Sequence, residues 1–171
     1  MSSEPGVDHP ALAPGHATAP RQRDFTRLRP PARRVVLAEI VETPLDVAAH
    51  AAAVADPAAG AVVTFTGVVR DNDHGRRVTA IEYVGHPTAP RVIAEVAEEV
   101  ARSSTAEALA VTHRLGELAV GELAIVVAVS GVHRGEAFQT AAQLVTEVKH
   151  RLPVWKRQIF DDGTEEWVAC P

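Results

Sequence analysis

The chain has 171 residues, 23% of them charged and 46% hydrophobic, which suits one compact domain with or without a tail and is too short for two ordinary ones. A formal charge of −5 excludes the broad basic field of a general nucleic-acid binder, so no nucleic-acid partner is expected. No segment is apolar over the roughly 20 residues of a membrane helix, no secretory signal pattern opens the chain, and the single cysteine, Cys170, rules out an internal disulfide and a cysteine-rich metal site. The expectation is a soluble cytoplasmic protein with no membrane contact, no metal and no bound cofactor.

Six of the twelve prolines fall in the first 31 residues, among few large apolar groups, so residues 1–34 read as a disordered tail carrying six arginines and a charge of +3, with the domain following over 35–171. Order is expected from Val35, where the run to Val41 has the β-branched content of a strand. Thr43 as N-cap, Pro44 in the first turn and Asp46 as a capping acid predict a helix to about Ala55, closed by Asp56-Pro57. Residues 60–69 and 78–84 read as two strands of a hairpin, joined through the polar turn Asp71 to Gly75. Val92, Ile93, Val96, Ala97 and Val100 repeat at helical spacing, predicting a helix over 88–103. Two more strands, 109–115 and 122–130, precede a helix over about 135–150, whose buried stripe is Ala137, Phe138, Ala141, Leu144, Val145 and Val148; Pro153 stops it. A C-terminal β-hairpin, 154–160 and 164–169, turns through Asp161-Asp162-Gly163. Helices mix with hairpins without regular alternation, which predicts an α+β fold with a mostly antiparallel sheet and packed helices, and not a doubly wound one.

The seventeen basic residues are fifteen arginines and only two lysines, Lys149 and Lys156, seven positions apart. Lysine serves as a nucleophile or base where guanidinium does not; survival of two surface lysines weighs equally from composition alone. Lys149 closes a helix, where a cation is an ordinary dipole partner. Lys156 lies in a strand where alternation puts Val154, Lys156 and Gln158 on one face and Trp155, Arg157 and Ile159 on the other. Desolvation beside a bulky aromatic and repulsion from a second lysine both favour its neutral amine. Arg70, at a strand end, holds an anion or pairs with Asp71 or Asp73, and alone the ion pair is the better reading. The turn Ser130-Gly131-Val132-His133-Arg134-Gly135 runs from a strand into a helix, where N–H groups with an adjacent His and Arg suit a phosphate or carboxylate. The scattered histidines form no HExxH zinc motif, and serine elbows and Walker loops are absent.

Together, the segments 60–70, Val132-His133-Arg134 and 148–157 resemble the catalytic (large) subunit family of molybdopterin synthase, in the family's order and near its spacing, over about Val35 to Val168. His113-Arg114-Leu115-Gly116 and Ile81-Glu82-Tyr83 are also similar to family sequence. The resemblance implies an α/β-hammerhead-like fold and a homodimer within a heterotetramer, with a ubiquitin-like small subunit at each end. That partner would insert a C-terminal Gly-Gly thiocarboxylate and donate sulfur to cyclic pyranopterin monophosphate, two rounds forming the dithiolene of molybdopterin. The resemblance places Lys149 and Lys156 on the family's active-site lysines, His133 and Arg134 on its substrate-anion site, Arg70 on its active-site arginine, and Phe65 near its pocket wall; Arg157 joins the substrate-binding set from the Trp-Lys-Arg triplet. Gln158 stands where many members carry an acid. Two other readings stay open: a non-catalytic module docking a ubiquitin-like diglycine tail, and an unrelated enzyme acting on a small phosphorylated ligand.

Overall fold

The computed structural model describes residues 30–169; most of the predicted tail, and Cys170, lie outside the described residues. The end of that predicted tail is tied down, which moves the start of order ahead of Val35. The Ala32 N–H donates to a Glu107 carboxylate oxygen at 3.0 Å, Arg33 Nε donates to the Ser104 carbonyl at 3.0 Å, and Arg34 pairs with Asp56 at 3.1 Å.

In chain order the elements are β1 (Arg34–Val41), α1 (Val47–Ala53), β2 (Ala61–Val68), β3 (Asn72–Asp73), β4 (Arg76–Gly85), α2 (Ala89–Ser103), β5 (Ala108–Arg114), β6 (Gly116–Ala119), β7 (Leu123–Gly131), α3 (Arg134–Arg151), β8 (Val154–Phe160) and β9 (Glu165–Ala169). The cap of α1 is Asp46 and not Thr43: its carboxylate accepts the Ala49 N–H at 3.0 Å, so Thr43-Pro44 belongs to the connection. One sheet has the order β1-β5-β7-β2, with β1 and β5 parallel and the other pairs antiparallel. The second runs β3-β4-β8-β9, with β6 also on β4, all antiparallel. The α+β class with mostly antiparallel strands and a C-terminal β8–β9 hairpin is as predicted.

The predicted hairpin of 60–69 with 78–84 is not present. β2 pairs with β7 and β4 with β8, in different sheets. The register slips between Gly67 and Val68, and the Val69 N–H turns to the Glu122 carbonyl at 3.0 Å, so the chain leaves the first sheet there. Only β3 makes a hairpin with β4, through His74 and Gly75 at φ 48° and 83°, the left-handed pair that a tight two-residue turn demands. Between the strands predicted at 109–115 and 122–130 lies a further short strand, β6; its Leu118 is fully buried opposite Ile81 and seals a small core with Val69, Val78 and Phe160.

The main core lies between the first sheet and the helices. Leu109, Val111, Val127 and Val129 of β5 and β7 meet Ile93 and Val96 of α2 and Leu144 and Val148 of α3. The opposite face of the same strands is alanine, with Ala108, Ala110 and Ala128 against Val54 at the end of α1. Phe138, expected in the stripe of α3, is 62% exposed; Ala137, Ala141, Leu144 and Val148, spaced by four, three and four, complete that stripe and leave Phe138 beyond its edge. Among the described residues no helix is long and apolar enough to cross a membrane.

Candidate active site

The end of α3 and the start of β8 carry the two lysines on either side of one turn. Pro153 cannot continue the helix, and Leu152 closes it by donating its N–H to the Val148 carbonyl at 2.9 Å. Leu152 and Val154 are both buried, so the turn is pinned to the core from both ends. This brings Lys149, on the last helical turn, and half-buried Lys156, in β8, to face the same space. The aromatic on the Lys156 face is not Trp155, which points away at 41% exposure, but Tyr83, its register partner on β4.

That space is two adjoining cavities. One, of about 250 Å³, is walled by Gly67, Tyr83, His113, Ile125, Lys149 and Lys156, with further apolar groups; the other, of about 330 Å³, has Arg70, Asn72, Tyr83, Lys149, Lys156 and Gln158 in its wall. Among the described residues no carboxylate lines either one, and neither lysine has an ion pair. Most of the described arginines behave otherwise: Arg34, Arg70, Arg76, Arg91, Arg102, Arg114, Arg151 and Arg157 each hold an acid. In a chain of net negative charge, two lysines without an ion pair of their own, Lys149 exposed and Lys156 half-buried, suit an anion. Gly67 sets its size, since a Cβ there would lie 2.5 Å from Ile125 Cγ2.

Of the two readings offered for Arg70, the structure shows the ion pair. It pairs with Asp73 at 2.9 Å, and it lines the second cavity with the lysines. The other Asp73 oxygen accepts from Gln158 Nε2 at 2.8 Å. Hydrogen bonds from Gln158 and then Arg70, with Lys156 nearby, hold the Asp73 carboxyl below the usual carboxylate value against the opposing effect of burial. Gln158, 2% exposed, thus tethers β3 to β8 and keeps Arg70 at the rim.

Three predicted site residues are not at the lysine cavities. Arg157 faces away with Trp167, its guanidinium 5.8 Å from that ring, and is held by Glu82 at 2.7 Å and Glu165 at 2.8 Å; both acids raise its pKa. His133 and Arg134 line a separate shallow depression with Gly60, Ala61 and Gly135, at the opposite end of α3. The fifteen steps from Arg134 to Lys149 span about 22 Å of helix. At that end Glu136 already accepts the His133 N–H at 3.3 Å. Phe65, 37% exposed on β2, is absent from both cavity walls but its ring edge stands 3.9 Å from the position a Gly67 Cβ would take, beside the cavity. Sequence reasoning gave no site role to Tyr83, His113, Asp73 or Gln158. The first two lie in segments noted as family-like, and Gln158 shares the strand face of Lys156.

The fold and the paired cavities define an α+β scaffold built around two lysines that form no ion pair among the described residues. The chain matches the family described as MoaE protein over residues 40–151. A molybdopterin synthase catalytic subunit of Bacillus subtilis is 35% identical over 132 residues, covering 77% of this chain and 83% of the relative. One of the same name from Oryza sativa subsp. indica is 40% identical over 124 residues, covering 72% of this chain, which spans 64% of that relative's length. Among solved structures, molybdopterin synthase from Staphylococcus aureus superposes with a TM-score of 0.69 at 28% identity, over 76% of this chain and 95% of that one. A complex of subunits 1 and 2 of molybdopterin-converting factor from Helicobacter pylori shares the fold, with a TM-score of 0.62 at 18% identity. The chain belongs to the MoaE family.

Proposed function

We propose that this chain is the catalytic subunit of a molybdopterin synthase, a cytoplasmic sulfurtransferase. It moves sulfur from the C-terminal Gly-Gly thiocarboxylate of a ubiquitin-like small subunit to cyclic pyranopterin monophosphate. The observation that carries this reading is the placement of the chain's only two lysines, free of ion pairs among the described residues, in the shared wall of two acid-free cavities. Both ligands are anions, a thiocarboxylate and a phosphate ester, and a positive pocket in an acidic protein favours them in the ground state and as charge develops. Lys149 and Lys156 orient the thiocarboxylate and shuttle protons, Arg70 stands at the rim, and the sulfur arrives on the partner.

His133 and Arg134 hold the phosphate only if a second copy brings them. β2 is an edge strand, pairing with β7 alone among the described residues; its Ala61 end lies by His133 and Arg134, and its Gly67-Val68 end lies by the lysines. Two copies pairing antiparallel along β2 set the anion turn of each beside the lysine cavity of the other. The open edge of β2 supports a homodimer, and the family resemblance adds the small subunits of a heterotetramer.

The test is single-turnover conversion of cyclic pyranopterin monophosphate with thiocarboxylated small subunit, by the native chain and by Lys149→Arg and Lys156→Arg. The native chain is expected to form dithiolene product, and each variant to lose about a hundredfold in rate, because charge is kept while geometry and a removable proton are lost. Native chain that binds the small subunit and makes no product would replace catalysis with docking of a diglycine tail.

A further inference from the structure

His113 is a buried polar group in the wall of the site that the proposed chemistry leaves unused. It is 7% exposed and lines the same 250 Å³ cavity as Lys149 and Lys156. Its Nδ1 lies 2.9 Å from the Arg114 carbonyl oxygen. A carbonyl only accepts, so Nδ1 carries the hydrogen and Nε2 presents a lone pair. The ring plane is fixed by Tyr83, whose ring meets it edge to face with centroids 5.2 Å apart at 78°. Among the described residues no hydrogen bond reaches Nε2, from either lysine or from any other donor. Burial holds the imidazole neutral, pushing its pKa down to about 4, so the group is an acceptor at neutral pH.

A fixed acceptor in a cavity otherwise furnished with cations selects a ligand that brings a donor. The thiocarboxylate and the phosphate offer acceptors only. The pterin ring offers N–H groups at its edge on a flat bicyclic body, which matches the aromatic and apolar wall of Tyr83, Ile125, Val148 and Leu152. We propose that His113 is a substrate contact of this site, its Nε2 accepting a hydrogen bond from an N–H of the pterin ring and so orienting the ring between the two lysines. The inference rests on the sulfur-transfer reading and adds to it the residue that recognises the ring rather than its charges.

The experiment compares native chain, His113→Phe and His113→Gln in complex with thiocarboxylated small subunit. Half-saturation for cyclic pyranopterin monophosphate, limiting rate and small-subunit affinity are read separately. In His113→Phe the aromatic bulk beside Tyr83 stays and the acceptor is lost, so half-saturation rises about tenfold while the limiting rate stays within about threefold. In His113→Gln the side-chain oxygen replaces the acceptor and half-saturation returns to within about threefold of native. On native chain labelled with ¹⁵N-histidine, adding the pterin moves the His113 Nε2 resonance upfield, a measurement that needs no folded variant. Unchanged half-saturation in His113→Phe, or an Nε2 resonance that ignores the pterin, overturns the contact even when the native chain turns over. Weakened small-subunit affinity with unchanged half-saturation also overturns it, by assigning the acceptor to the glycine tail. Absence of turnover by the native chain overturns the sulfur-transfer reading, and the resonance still decides the contact.

Discussion

Acidifying the native protein from about pH 7.5 to about pH 5.5 is expected to remove stability through His113, by an amount that follows from its burial. The imidazole has a reference pKa of 6.5 and is pushed down to about 4 in the fold, chiefly by desolvation, with the Arg114 carbonyl opposing the shift. Between those values the unfolded chain binds a proton that the folded chain refuses. Stability is therefore complete above about 6.5 and falls with pH down to about 4, a total of about 3 kcal/mol, of which about 1.4 kcal/mol is lost by pH 5.5. The titratable side chains sharing its cavity are Tyr83, Lys149 and Lys156, with Arg114 adjacent in the chain; none is a carboxylate. The carboxyls held below their reference values, Asp73, Glu99, Glu122 and Asp162, start from 3.8 or 4.5, so their linked losses come at lower pH. Urea unfolding of native and His113→Gln chains at both pH values gives four free energies, and their double difference cancels every group the two chains share. The native advantage over the variant is expected to shrink by about 1.4 kcal/mol on acidification, or roughly 3–5 °C in Tm. A double difference near zero would mean that the imidazole is hydrated or already charged in the fold, and would refute the account of a dry, neutral acceptor.

Gly67→Ala drives a methyl group to within 2.5 Å of buried Ile125 Cγ2, so a loss of about 1–3 kcal/mol by thermal melting and a fall in turnover are expected together. Gln158→Glu replaces the donor 2.8 Å from Asp73 with a second carboxylate, and an instability of about 1–3 kcal/mol at neutral pH is expected. Like-charge repulsion raises the folded-state pKa of that pair, so the deficit narrows as pH falls, which paired melts at neutral and mildly acidic pH will show. Gly60→Ala places a Cβ 2.7 Å from the Val132 carbonyl oxygen, a backbone atom that moves only with the His133-Arg134 turn. It is expected to weaken phosphate-dependent binding while leaving small-subunit affinity unchanged, as read by titration calorimetry.

Where one residue's local chemistry decides, the sequence is a good guide: Pro153 ends α3, the spacing of Ile93, Val96 and Val100 makes α2 amphipathic, and alternation along β8 puts Lys156 and Gln158 on one face. Pairing between strands is a long-range matter. The polar turn before Val78 suggested a hairpin with residues 60–69, yet β2 goes to β7, an interior strand buried on both faces whose two backbone edges are filled by β5 and β2. The site divides along the same line. Two lysines seven residues apart across a helix stop are readable as a pair, whereas Tyr83, His113 and Arg70 come from β4, β5 and the segment after β2, and meet them only once two sheets close on one another. That His133 and Arg134 stand at the far end of α3 follows from the length of an 18-residue helix, which a list of motifs does not display.

The first sheet carries large side chains towards α2 and α3 and alanines towards α1, and this asymmetry divides the protein into two mutational compartments. Enlarging Ala108, Ala110 or Ala128 lifts a seven-residue helix that supplies no wall to either lysine cavity, so its cost appears in folding. Trimming Leu144 or Val148 loosens the rod that carries Lys149, so folding and chemistry decline together. Selection for stability and selection for catalysis can therefore act on opposite sides of the same two strands, with little interference between them.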